Sequence, residues 1–264
     1  MALPSRSTPF RIRSLALLAL FAAHLIGCGS STSVEGDSSN TVSSGGVATG
    51  DLEASISVVA SSPDHVRVGA SFERDSILFG VQDVELGGGD SVRVSLGGRS
   101  RTLQRDPDAT SPYYETTFDL SPAEGPVTIR IRGSSFTLPL RPAFTVTSPT
   151  PGLSLGFQDH LDLEWTPADP GGVIQIWLSR SCKTLTGGTR GGSSYLQVLD
   201  DGAYSYDLGL LPEATDPAID ITQDCTLDLR FVREASASIA PPFSSFSQLG
   251  STQMRTVGGM TISF

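Results

Sequence analysis

Apolar residues in this chain recur at every second position, in short runs, and no stretch after the first 30 residues sustains a helical spacing. Val66, Val68, Ala70 and Phe72 alternate with polar or small neighbours. Leu161, Leu163 and Trp165 alternate with Asp162 and Glu164, and Leu227, Leu229 and Phe231 with Asp228 and Arg230. A period of two turns one face of an extended strand into a core and the other to solvent. Between the runs stand turn-forming clusters such as Gly87-Gly88-Gly89-Asp90 and Gly97-Gly98. The fold class is therefore all-β, built of short strands and many turns.

The runs fall into two sets. Residues 51–140 carry Ile56, Val58 and Ala60, then the run through Phe72, Val84 with Leu86, Val92 to Leu96, Tyr114 to Phe118, and Val127, Ile129 and Ile131. That spacing reads as a first β-sandwich. Pro139-Leu140-Arg141-Pro142 is a short, stiff boundary, so the two halves are expected to stack end to end with little swing. Residues 143–264 read as a second sandwich. Within it, Ser148-Pro149-Thr150-Pro151-Gly152, followed by Leu161 to Trp165-Thr166-Pro167, resembles the first two strands of bacterial immunoglobulin-like or fibronectin type III-like lipoprotein domains. The resemblance implies two tandem immunoglobulin-like sandwiches. It makes 173–181 strand C, Tyr204 to Leu208 strand E, Leu227 to Val232 strand F and 252–264 strand G. Cys182 then ends C and Cys225 begins F, neighbours in that fold, and a disulfide between them is expected.

The first residues carry an address. Arg11 and Arg13 precede an apolar run from Leu15 to Ile26, interrupted by His24. It is shorter than the about 20 residues that span a hydrocarbon core, so it reads as a secretory signal over 1–27. Leu25-Ile26-Gly27-Cys28 resembles a bacterial lipobox. The resemblance implies cleavage before Cys28, a diacylglyceryl group on its sulfur and acylation (palmitate or similar) of the new amino terminus. Residues 28–50 are then the lipidated Cys28 and a Ser/Gly-rich flexible tether with a reach of about 25 Å. Gly29, in place of an inner-membrane retention Asp, implies by the same resemblance an outer-membrane lipoprotein of the cell envelope, periplasm-facing or surface-exposed.

Losing the leader changes the formal charge from −10 to −13, because Arg6, Arg11 and Arg13 leave with it. An acidic chain without a basic run lacks the electrostatic footprint of a nucleic-acid binder. The chemical motifs are thin. Gly152-Leu153-Ser154-Leu155-Gly156 fits G-x-S-x-G, but prolines precede it and no helix follows, so it reads as a turn. His65 and His160 are too few for a catalytic zinc site. Structural calcium is a minor alternative, with Asp216, Asp220 and Asp224, or Asp200, Asp201 and Asp207, as its oxygen ligands. Asp200, Gly202 and Tyr204 have the spacing of an immunoglobulin tyrosine corner, but Tyr206 stands where that family carries Cys. Gly187 to Gly192 lacks the Lys-Ser/Thr of a phosphate loop and reads as a flexible connection. No catalytic residue and no metal ligand is assigned.

Two surfaces remain for binding. Glu234 to Gly250 reads as a long irregular F–G loop whose Ile239, Phe243 and Phe246 serve either an interdomain contact or a partner. Trp177, Tyr195, Tyr204 and Tyr206 are the aromatic set from which a glycan face would be built. The reading that follows is a non-enzymatic, membrane-anchored lipoprotein presenting immunoglobulin-like modules to an envelope protein. A carbohydrate-binding module is the alternative, and a two-carboxylate hydrolase a more distant one.

Overall fold

Extended strands make up nearly all the regular structure in a computed structural model of the chain, which describes residues 41–76, 80–121, 125–239 and 241–264. The leader, Cys28 and the tether as far as residue 40 lie outside the described residues. The first half contributes β1 (Thr41–Ser43), β2 (Leu52–Ser62), β3 (His65–Ser76), β4 (Gly80–Glu85) and β5 (Arg93–Leu96). It continues with β6 (Arg99–Thr102), β7 (Gln104–Arg105), β8 (Tyr113–Phe118), β9 (Val127–Ile131) and β10 (Ser134–Leu138). The second half contributes β11 (Thr145–Ser148), β12 (Ser154–Gly156), β13 (His160–Thr166) and β14 (Val173–Lys183). Then follow β15 (Thr189–Leu199), β16 (Ala203–Asp207), β17 (Cys225–Ser238) and β18 (Gln248–Ser263).

These strands form one long sheet and two short ones. The long sheet has 11 strands, ordered β1-β4-β3-β2-β18-β17-β14-β15, with β7 and β8 joined through β3 and β12 through β18. A 4-stranded sheet runs β10-β9-β5-β6, and a 3-stranded sheet runs β11-β13-β16. The second half is immunoglobulin-like in its own connectivity: strands A, B and E (β11, β13, β16) face C′, C, F and G (β15, β14, β17, β18).

Both short sheets cover the same face of the long one, side by side. Leu227, Leu229 and Phe231 on β17 point into the second core, and Ile239, in phase with them, into the first. On β18, Leu249 joins the first core and Val257, Met260 and Ile262 the second. The change of phase falls where the β17–β18 register slips between Leu227 and Leu229, beside Gly259 at φ 74. The hairpin β17–β18 therefore serves both cores.

This arrangement departs from the expected partition at 139–142. Residues 234–250, expected as an irregular F–G loop of the second sandwich, instead extend β17 to Ser238 and start β18 at Gln248. The tip of the hairpin is bonded to the first half: the Ser244 amide donates to the Leu52 carbonyl, and the Ala54 amide to Ser247 Oγ at 2.9 Å. β18 then runs parallel to β2 from Gln248↔Ser55 to Gln253↔Ala60. The first sandwich is thus completed by residues near the chain's other end.

Two further stretches are ordered where flexible chain was expected. Residues 41–50, assigned to the tether, pack onto the first half, with β1 parallel to β4 and Ser44 and Val47 buried. Arg132 holds them there. Its guanidinium donates to the Val47 carbonyl at 2.9 Å, to the Ser44 carbonyl and to Asp90 Oδ2, which Ser44 Oγ also reaches at 2.8 Å. The Arg132 hydrogen bonds are the main reason Asp90 holds its proton less tightly than an ordinary carboxylate. The glycine-rich connection 187–192 enters β15, which pairs with β14 without a register shift from Lys183↔Thr189 to Val173↔Leu199. A Cβ at Gly191 would come within 2.6 Å of the Arg180 carbonyl, so small residues are what allow this close pairing.

Candidate interaction face

The face of the long sheet opposite the two cores carries no covering layer among the described residues, and its residues are exposed or half-buried along most strands. Its most structured patch lies on β15, β14 and β17, where Trp177 is in register with Tyr195 on one side and Arg230 on the other. The Trp177 and Tyr195 rings are 4.8 Å apart between centroids and tilted by 56°. The Arg230 guanidinium lies over Trp177 at 5.3 Å, a cation–π contact. Gln175 Nε2 donates to Glu234 Oε2 at 2.9 Å beside it, and Tyr195 Oη donates to Gln197 Oε1 at 3.2 Å. Burial raises the pKa of Glu234, and burial followed by the Glu234 charge raises that of Tyr195. Tyr195 is still 45% exposed, and Val173 and Leu199 at the sheet's end are 42% and 68% exposed.

Toward the other end of the same face, Tyr113 lies over Gly69, where a Cβ would meet the tyrosine oxygen at 1.8 Å. Arg67 approaches that ring at 6.0 Å and pairs with Glu115. Beyond it stands a row of acids in register across three strands, Asp83, Glu73 and Glu53. Burial, then Glu53 and Asp83, raise the Glu73 pKa.

The four aromatic residues considered for a glycan face do not share one. Trp177 and Tyr195 are on the long sheet, whereas Tyr204 and Tyr206 are on β16 of the 3-stranded sheet, paired with Leu163 and Leu161. Tyr206 is in the second core, and Tyr204 sits at that sheet's edge, 37% exposed. The separation follows from β16 pairing with β13 rather than with β15. Of the three loop residues, Ile239 and Phe243 are buried in the first core, Phe243 edge-on to Phe136 at 5.4 Å, while Phe246 is 71% exposed.

Cys182 and Cys225 form a disulfide between the end of β14 and the start of β17, with Cα atoms 4.2 Å apart. Most of the aspartates considered for calcium have partners within the protein. Asp200 is buried against Arg233 and Trp165, Asp207 accepts from the Gly209 amide, Asp216 pairs with Arg190, and Asp220 accepts from Thr222 and Gln223. Among the described residues no three His, Cys, Asp or Glu side chains gather as a metal site. Ser154 of the G-x-S-x-G stretch starts β12 and accepts from Thr261 Oγ1 at 3.0 Å, and His160 starts β13 on the surface.

What sequence reasoning missed is the seam between the two cores. Arg233, Gln253 and Arg255 point inward there, from the shared hairpin. Arg233 donates to the Pro142 and Pro167 carbonyls at 2.6 and 2.9 Å, and Arg255 to those of Phe144 and Ala60 at 2.9 and 3.0 Å. Gln253 donates to the Arg141 carbonyl. Both guanidiniums lie over the Phe144 ring, Arg233 at 4.6 Å and Arg255 at 5.2 Å from its centre. The one signal for this was a charged residue at an inward phase of each strand, Arg233 after Phe231 and Arg255 before Val257.

No protein family and no curated protein matches this chain in sequence. Among solved structures, the I9–I11 tandem from titin is similar at 10% identity and a TM-score of 0.23, over 78% of this chain and 65% of that one. The chain thus spans somewhat under two thirds of the titin tandem. The complex of Dpr11 IG1 with DIP-gamma IG+IG2 is similar at 10% identity and a TM-score of 0.20, over 81% of this chain and 100% of that one. At these scores neither likeness bears on function, and the immunoglobulin-like arrangement of the second half rests on its own strand order.

Proposed function

We propose that the chain is an exported, envelope-anchored interaction protein that binds other proteins rather than turning over a substrate. In this reading Cys28 carries the lipid, the residues up to 40 are the leash, and the open face of the long sheet is the surface presented. The observation that carries it is the Trp177–Tyr195–Arg230 cluster on that face. Trp, Tyr and Arg dominate the energetically decisive positions of protein interfaces, because each combines a large apolar contact with a directed polar group. Val173 and Leu199 supply apolar surface beside it.

The test has two arms. Mass spectrometry of the protein isolated from envelopes is expected to find an acylated amino terminus at Cys28, and an intact leader removes the anchoring half of the reading. Affinity capture from the same envelopes is expected to enrich a partner with the parent chain and lose it with Trp177→Ala/Arg230→Ala. Equal capture by both chains, or none above a lipid-only control, removes the binding half.

A further inference from the structure

β15 is the last strand of the long sheet, and β14 is its only partner among the described residues, so one edge of an 11-residue strand has unpaired backbone donors and acceptors. Proteins ordinarily guard such an edge with a proline, a bulge, a charge or shortness, because it is a template for another strand. From Gly191 to Leu199 there is no proline and no charge, and the pairing with β14 has no bulge. The sheet-border strands elsewhere, likewise paired on one side, are shorter, β1 at 3 residues, β6 and β11 at 4, and β10 and β16 at 5.

The order of side chains along this strand says what fits against it. Gly191-Gly192-Ser193-Ser194 are small, Tyr195 follows, and Leu196-Gln197-Val198-Leu199 are large. When the strand is laid antiparallel against a copy of itself with Tyr195 on the two-fold axis, Leu199 faces Gly191, Val198 faces Gly192, Gln197 faces Ser193 and Leu196 faces Ser194. Apart from Tyr195, which meets its own copy, every large residue meets a small one, and no like charges are opposed. We infer that this edge pairs two copies of the chain through an antiparallel β15–β15 contact centred on Tyr195, joining the two long sheets into one.

The contact is isologous, so it closes at two and does not propagate. It is made by backbone groups, and it depends neither on acylation of Cys28 nor on what binds the open face. Because each copy has a formal charge of −10, added salt screens the repulsion and tightens the pair, whereas a charge-driven complex would loosen.

A cysteine scan in the full-length chain tests the register, with the parent chain as the control for Cys28. Under mild oxidation Tyr195→Cys is expected to form a disulfide-linked dimer, because that residue alone meets its own copy. Ser193→Cys and Gln197→Cys should give none separately and a dimer when co-expressed. Sedimentation in mild detergent is expected to find the parent chain dimeric and Ser193→Lys/Gln197→Lys monomeric, with an unchanged far-ultraviolet circular dichroism spectrum showing that the variant is folded. A monomeric parent chain, a dimer that survives the lysines, or cross-linking at 193 or 197 alone overturns the proposal, as does capture of a different protein at 195.

Discussion

Arg233 and Asp200 form an ion pair at 2.6 Å between side chains that are 1% and 0% exposed, and Trp165 Nε1 donates to the other carboxylate oxygen at 2.7 Å. The pair joins β17 to the turn after β15 at the seam between the two cores. Removing one partner of a buried pair leaves an uncompensated charge, so Asp200→Ala should cost about 3–5 kcal/mol. Arg233→Met in the same chain should recover part of that loss, since the stranded charge is gone. Urea unfolding of the two single variants and the double variant measures both effects.

Phe243 belongs to the first core although it follows every strand of the second sandwich but one. Phe243→Ala should destabilise by about 3–5 kcal/mol, and exposed Phe246→Ala should change stability by less than about 0.5 kcal/mol. The chain's 2 tryptophans, Trp165 and Trp177, are both in the second half. Because the hairpin is common to both cores, Phe243→Ala is expected to lower the unfolding midpoint reported by tryptophan fluorescence as well. An unmoved tryptophan transition would show that the halves unfold separately.

Carboxylates at two places give opposite pH dependence. Burial, with Glu53 and Asp83 opposite, raises the Glu73 pKa, so the folded state favours its neutral form. That contribution is complete below the ordinary carboxylate range and is lost as pH rises through the folded-state value. Glu73→Gln should therefore raise the urea midpoint at pH 7 and leave it unchanged near pH 4. The Asp90 pKa is lowered, chiefly by its hydrogen bonds from Arg132, so its contribution is present above the ordinary range and lost as pH falls through the folded value. Asp90→Asn should lower the midpoint at pH 7, with the difference fading in acid.

The Cys182–Cys225 disulfide closes a sequence separation of 43 residues. The chain-entropy account gives about 4 kcal/mol for a loop of that length. Cys182→Ser/Cys225→Ser should fall short of the parent chain by that order in urea, and a reducing agent should have the same effect on the parent.

Strand positions with strong alternation were legible from the residues themselves. His160–Thr166, Val173–Lys183 and the start of β17 fall where Leu161 to Trp165, Ile174 to Leu178 and Leu227 to Phe231 alternate. The continuation of β17 was not, because its inward residues past Phe231 are Arg233, Ala235 and Ala237, too polar or too small to register as a buried face. The start of β15 was hidden by its glycines and serines, and it is the lack of bulk at Gly191 and Gly192 that lets them fit against Arg180. The ordering of residues 41–50 depends on Arg132, and the Asp200 site on Arg233, partners remote in sequence. The Trp177–Tyr195 pair was half legible. Both rings were singled out, but their register with Arg230 appears only once β14 lies between β15 and β17.

The pairing of Gln248–Gln253 with Ser55–Ala60 also sets an order of events during synthesis. The first half leaves the ribosome long before the strand that closes its sheet exists, and contacts so distant along the chain form slowly. A nascent polypeptide of this design has no finished part to lock early. Shortening it from its carboxyl end would undo the half made first.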